Sequence, residues 1–141
     1  PYKGGANAKV VIQKFSDFLC PFCNKDEPTM KELEEQYGNK IKIVWRHLPL
    51  PFHKDAPLAA EAAQEAFAQK GNAGFWAMHG KLFEGQGGEG ALSRENLEKI
   101  AGELGLDMGK FKAALDSHKH KAKVEADTKV GNDAGITELP I

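Results

Sequence analysis

Two thiols separated by two residues, in Cys20-Pro21-Phe22-Cys23, are the side chains of this protein best suited to chemistry. A pair at that spacing can close a small disulfide. It follows a β-branched, apolar run from Val10 to Ser16 and precedes a helix-like run from Asn24 to Tyr37. At a strand-to-helix junction the first cysteine lies at a helix N-terminus. Unpaired backbone N–H groups and the helix dipole favour a thiolate there. The thiolate is the form that attacks disulfides and leaves from them. The motif therefore predicts thiol–disulfide exchange, with Cys20 as the exposed attacking or attacked sulfur and Cys23 as the resolving one. Pro21 and Phe22 shape the dipeptide between them.

Such a pair needs a strand behind it and a helix ahead of it. Lys9 to Ser16 reads as a buried strand. After the cysteines, Met30, Leu33 and Tyr37 keep helical spacing, and Gly38 is a natural stop. Pro28 falls inside this helix and predicts a kink. Lys40 to Trp45 reads as a second strand, and Arg46 to His53 as a proline-punctuated loop. Two parallel strands joined by a helix make a right-handed βαβ unit. Two strands alone are poor shelter for their apolar residues, so the sheet needs more partners.

The remainder is helical in pattern. Leu58, Ala62 and Ala66 form one apolar stripe, with Pro57 in the first turn. Phe75, Trp76, His79, Leu82 and Phe83 form a second, which reads as core. Gly85 to Gly90 reads as a flexible connection. Ser93 and Asp107 have the type and position of N-caps, and a last helix is predicted from about His120 to Asp133. Asp17 is suited to holding the strand-to-helix turn by side-chain hydrogen bonds.

A chain of 141 residues fits one domain with a real core. With 19 basic and 20 acidic residues and a net charge of -1, it lacks the basic block of a nucleic-acid partner. The basic run from His118 to Lys123 reads as a solvated helix face. No apolar run approaches the ~20 residues needed to span a bilayer. Two cysteines cannot staple a scaffold, which makes their use chemical. The chain opens on Pro1 rather than Met, so it reads as a processed or excised piece from which any signal peptide would already be gone.

A C-x-x-C at the start of a helix in a βαβ setting is the thioredoxin-like signature. The match extends through Phe15-Ser16-Asp17-Phe18-Leu19 before the pair, Glu27-Pro28 after it, and Arg46-His47-Leu48-Pro49-Leu50-Pro51-Phe52-His53. Together these closely resemble the DsbA-like branch of the thioredoxin superfamily. The resemblance covers nearly the whole chain. It implies an α/β fold, a single domain over 1–141 with a thioredoxin-like βαβ core and a helical insertion over 55–133. It implies a protein-disulfide oxidoreductase, an oxidase or isomerase, whose redox group is the Cys20–Cys23 disulfide, with no other cofactor and no metal. Protein thiols and disulfides would be its substrates, and a redox protein, membrane-bound in some relatives, its partner. The compartment would be extracytoplasmic, the bacterial periplasm or beyond.

Gly135-Ile136-Thr137-Glu138-Leu139-Pro140 resembles the segment at the family's cis-proline loop. By that resemblance, Leu139 and Pro140 bind substrate backbone. The β-hairpin and final helix that follow in the family are absent after Ile141, which predicts truncation, strands supplied by another chain, or self-association through an incomplete sheet. Two further departures concern the pair itself. Relatives carry a buried acid six residues before the first cysteine, where this chain has Lys14. Its ammonium either points at the cysteines and favours the thiolate, or snorkels to water. Phe22 cannot donate the hydrogen bond that histidine gives in the strongly oxidising member. Two other classes stay open: a redox-inactive binding domain, and a zinc site of Cys20 and Cys23 with His47 or His53, which would lack the usual second ligand pair.

Overall fold

The structure, a computed structural model, describes residues 1–87, 90–136 and 139. Pro140, assigned above to the substrate backbone, lies outside them. Three strands form one sheet: β1 (Tyr2–Gly4), β2 (Val10–Ser16) and β3 (Ile41–His47), in the order β1-β3-β2. β2 and β3 run parallel, as the βαβ reading requires, with Ile12 opposite Ile43 and Ser16 opposite His47. β1 pairs antiparallel with the far side of β3. It was missed because three residues carry no readable period.

Helix α1 (Pro21–Tyr37) connects β2 to β3 through a 3-10 turn at Gly38–Lys40. It runs on through Pro28. Beyond β3 come α2 (Ala56–Glu84), α3 (Arg94–Glu103), α4 (Met108–Asp116) and α5 (Lys121–Asp133). The two stripes predicted between Leu58 and Phe83 are one helix, α2, broken at Gly71 with φ 67° and ψ -155°. That backbone region is essentially reserved for glycine, so the break is encoded at one residue. Ser93 and Asp107 do cap α3 and α4, accepting from the backbone N–H of Asn96 and Lys110.

β3 alternates strictly, with Ile41, Ile43, Trp45 and His47 all buried. Ile41 and Ile43 meet Met30 of α1, with Ile12 and Leu33 at the margin. Trp45 joins Phe18, Phe75, Met78 and Leu82 in the main core, which also contains both cysteines. The helical block is therefore the shelter that a small sheet lacks. α5 covers the opposite face, where Gly131 sits so close to Phe15 and Leu48 that a Cβ would lie 3.0 Å from Leu48 Cδ1.

At the end of β3 the imidazole of His47 is fully buried. Its Nδ1 accepts from Trp45 Nε1 at 3.0 Å, and its Nε2–H donates to Gln64 Oε1 at 3.1 Å. Both nitrogens are used in the neutral form. Burial pushes its pKa down from 6.5 to about 4, against the smaller pull of Gln64 and Asp127. Asp127 of α5 accepts from the His47 backbone N–H and pairs with Arg46 and Lys123.

Because the folded pKa of His47 lies below the unfolded one, the unfolded chain takes up a proton first as pH falls. The stability from the neutral ring is present above pH 6.5 and is lost toward pH 4. Between pH 7 and pH 5 this residue alone is expected to remove about 2 kcal/mol. Urea unfolding at the two pH values measures the loss. A His47 ring that titrates above pH 6 by NMR contradicts the assignment.

Candidate active site at the dithiol

Cys20 is the N-cap of α1, with extended backbone angles (φ -80°, ψ 116°), and Pro21 takes the first helical turn. Proline suits that position because no intrahelical partner exists for its missing N–H. The Cys20 carbonyl accepts from Asn24 N–H at 3.2 Å. One turn in, Cys23 faces inward. Both cysteines are free thiols and both are buried, Cys23 completely and Cys20 to 5% exposure. The sequence expectation of an exposed Cys20 is thus corrected. The side chain is tucked under its own turn and is reached through a cleft.

That cleft, of about 410 Å³, is lined by Cys20, Pro21, Phe22, Leu50, Phe52 and His53, with Leu139 also on its wall. Phe22 and Phe52 stand out from it at 64% and 76% exposure. Phe22 points to solvent with the Lys25 ammonium 5.5 Å from its ring centroid. The sequence-predicted Cys20, Pro21, Phe22 and Leu139 come together here, and Leu50, Phe52 and His53 join them from the proline loop.

The two sulfurs have different surroundings. Burial drives the pKa of the Cys23 thiol up to about 12, and Cys20 adds to the rise. The Ser16 hydroxyl and the backbone of Asp17, both beside the sulfur, pull the other way. Ser16 Oγ is itself buried and has no other polar partner among the described residues.

Asp17 frames the junction. Its buried carboxylate accepts from Leu19 N–H at 2.7 Å through Oδ1, and from Leu50 N–H at 2.7 Å through Oδ2. The same Oδ2 lies 2.7 Å from His53 Nδ1. One side chain therefore ties the turn before Cys20 to the proline loop across the cleft. Its local turn role was legible in the sequence, and its reach to His53 was not. Of the two histidines weighed as ligands, His47 is engaged in the core, while His53 holds Asp17 through Nδ1 and lines the same cleft as Cys20. Among the described residues no three His, Cys, Asp or Glu side chains converge as metal ligands.

Gln86 was missed altogether. It lies in the glycine-rich stretch predicted to be a loose connection. Its amide donates to the carbonyls of Phe18 at 2.7 Å and Cys20 at 3.1 Å, while Asn24 donates back to Gln86 Oε1. The loop after α2 is thereby clamped over the first turn of α1. No local pattern marks such a contact, because its partners lie more than sixty residues away.

Lys14 follows neither sequence expectation. It is 4% exposed and does not snorkel to water. Its ammonium sits between Asp26 Oδ2 at 3.0 Å and Glu27 Oε1 at 2.9 Å, one helical turn beyond Cys23. Two carboxylates neutralise it, so its charge is directed to α1 rather than to a thiolate. Burial alone would raise the pKa of Glu27. His79, whose Nε2 lies 3.2 Å from Glu27 Oε2, and Lys14 outweigh that and hold it at about 2. Burial pushes His79 below its usual value in turn. The ring stands edge-on to Trp45, with centroids 5.1 Å apart.

With this geometry in view, the comparisons with known proteins are specific. A family model described as thioredoxin matches residues 1–141, and the chain belongs to that family. Its fold is that of the DsbA-like proteins. BdbD from Bacillus subtilis superposes with a TM-score of 0.87 at 24% identity, over 99% of this chain and 78% of that one. DsbA2 from Pseudomonas aeruginosa gives 0.83 at 25% identity, over 99% and 75%. The thiol-disulfide exchange protein α-DsbA2 from Wolbachia pipientis gives 0.84 at 22%, over 99% and 73%. Among curated proteins, a Na(+)/H(+) antiporter NhaA of Salinispora tropica is 34% identical over 139 residues, 98% of this chain and 20% of its own length. One from Herminiimonas arsenicoxydans is 36% identical over 138 residues, again 98% of this chain but 21% of its own. The chain spans about a fifth of the length of these relatives. Among the described residues no helix is long and apolar enough to cross a membrane.

The asymmetry of the sulfurs predicts an asymmetric reaction with alkylating agents. At pH 8 iodoacetamide is expected to label Cys20 first in the native reduced protein, and Cys23 only after unfolding. Peptide mapping after limited labelling reads this out. Labelling of Cys23 ahead of Cys20 contradicts the arrangement.

Proposed function

We propose that this chain is a protein thiol–disulfide oxidoreductase working through Cys20 and Cys23. One observation carries the reading. A C-x-x-C pair caps α1 of a thioredoxin fold, with one sulfur opening on an apolar cleft and the other sealed behind it. In the disulfide form, a substrate thiolate attacks Cys20 through the cleft. A substrate–Cys20 bond forms and the Cys20–Cys23 bond breaks. Cys23 leaves as a thiolate and takes up a proton, since a pKa of about 12 keeps it a thiol at neutral pH. A second substrate thiolate then attacks the substrate sulfur of the mixed disulfide. It releases the oxidised substrate and leaves the protein as a dithiol. In the reverse direction Cys20 attacks a substrate disulfide and Cys23 resolves it.

Phe22, Phe52, Leu50 and Leu139 suit an unfolded or extended apolar polypeptide rather than a small charged thiol. Pro140 would extend the surface for substrate backbone, and the redox group would need no added cofactor. A redox protein must restore the starting state after each turnover. An oxidising compartment outside the cytoplasm fits the disulfide-donating direction.

The test is insulin reduction and oxidative refolding of a reduced protein, with Cys20→Ser as control. The parent chain is expected to be active in at least one assay, and Cys20→Ser to lose activity by at least about a hundredfold. Glutathione equilibration then sets the direction. A potential near ~-120 mV marks a disulfide donor, and one near ~-270 mV a reductant. A variant lacking Cys20 that keeps full activity would sink the proposal.

The antiporter relatives favour a second reading of the setting, in which this dithiol unit serves a longer transport protein. Sodium/proton exchange by that longer protein in vesicles is then expected to differ between oxidising and reducing buffers. The Cys20→Ser version should not respond, and equal exchange in both buffers for the parent rejects this reading.

A further inference from the structure

A second cleft, of about 590 Å³, lies between α5, the start of α2 and the turn joining α4 to α5, and shares no lining residue with the cleft at Cys20. Pro49, Pro57 and Val124 make its walls apolar. Glu61 of α2 lines it and is only 4% exposed. One of its oxygens, Oε2, meets His118 Nδ1 at 3.1 Å, while the other, Oε1, is buried with no hydrogen-bond partner among the described residues. A buried carboxylate with one empty oxygen is costly unless something completes it.

The neighbouring glutamate serves as an internal control. Glu65, one turn further along α2, is equally buried, and both its oxygens are engaged, Oε1 with His120 at 2.8 Å and Oε2 with Gln69 at 2.7 Å. The same turn thus satisfies one carboxylate and leaves the other half-made. The charges at the rim do not fill the gap. Glu125 lies 3.9 Å from Lys121, and Asp133 pairs with Lys129 at 2.7 Å, each within α5. The unmatched acceptor is therefore a single buried oxygen of a residue that lines the cleft.

His118, which meets the other oxygen, Oε2, is weakly held. Its side chain is 57% exposed. Its φ of 51° places a non-glycine residue in the left-handed region, where the Cβ crowds the backbone. A ligand that replaces the ring at Oε2 displaces an exposed side chain, not a packed one.

We infer that this cleft receives an arginine side chain of a partner polypeptide. An arginine has an apolar stem to lie against Pro49, Pro57 and Val124. Its planar guanidinium can offer parallel N–H donors to both Glu61 oxygens, and it sheds water more readily than an ammonium. The site is independent of the dithiol, so its test does not depend on redox activity.

The test is an NMR titration of the 15N-labelled 141-residue chain with acetyl-Gly-Arg-Gly-amide. The control is the same peptide with citrulline, which matches arginine in shape but carries no charge. The arginine peptide is expected to shift the amide resonances of Val124 and Thr128 saturably, and the citrulline peptide to leave them unmoved. Glu61→Gln should weaken the arginine peptide by about tenfold or more. His118→Gly, which removes the competing ring and relieves the backbone, should tighten it. Four results each overturn the inference: no saturable shift with the arginine peptide, equal binding of both peptides, unchanged binding in Glu61→Gln, or weaker binding in His118→Gly. If Glu61→Gln fails to fold, the citrulline control and His118→Gly decide the question.

Discussion

The carboxylate of Asp17 is buried at the point where β2 ends and the chain turns toward Cys20. Taking a carboxylate out of water is expensive unless its lone pairs are filled. Here Leu19, Leu50 and His53 fill them, all at 2.7 Å. Those contacts come from two chain segments that are far apart in sequence. The need to satisfy one buried group therefore fixes the distance between the start of α1 and the proline loop. The width of the cleft above Cys20 depends on that distance.

The same reasoning runs deeper into the core. Lys14, Glu27 and His79 come from β2, α1 and α2, and the buried Lys14 ammonium would be costly there without its carboxylates. Together they tie the sheet, the dithiol helix and the helical block. A stacked Phe18–Trp45 pair, with centroids 4.8 Å apart, continues the join above them. The cysteines sit at the meeting of these layers. Cys23 is sealed within the main core, and Cys20 stays reachable because it lines the cleft.

Polar groups also set how the helical block docks. Asp127 of α5 takes the backbone N–H of His47, while Thr128 donates to the His47 carbonyl at 3.2 Å. The end of β3 is thereby closed by a helix instead of by another strand. Gln86 performs a matching task at the other side of the dithiol, holding the carbonyls around Cys20 with an amide from the loop after α2. The cysteine turn is thus held by the loop after α2, and the end of β3 by α5.

What the sequence determined by itself is the part written in short-range chemistry. The spacing of Cys20 and Cys23, the β-branched run into Ser16, the alternation through β3 and the caps at Ser93 and Asp107 each depend on neighbours within a few residues. Periodicity and residue type report such interactions directly. The family resemblance read from the C-x-x-C motif and the proline loop rested on the same local text. Tertiary structure decided everything that depends on a distant partner. It decided that Lys14 faces two carboxylates rather than thiols or water, that Gln86 is a clamp, that β1 completes the far side of β3, and that Cys20 is covered. In each case a buried polar or apolar group is satisfied by residues remote in the chain, and burial with its partners is a property of the folded whole.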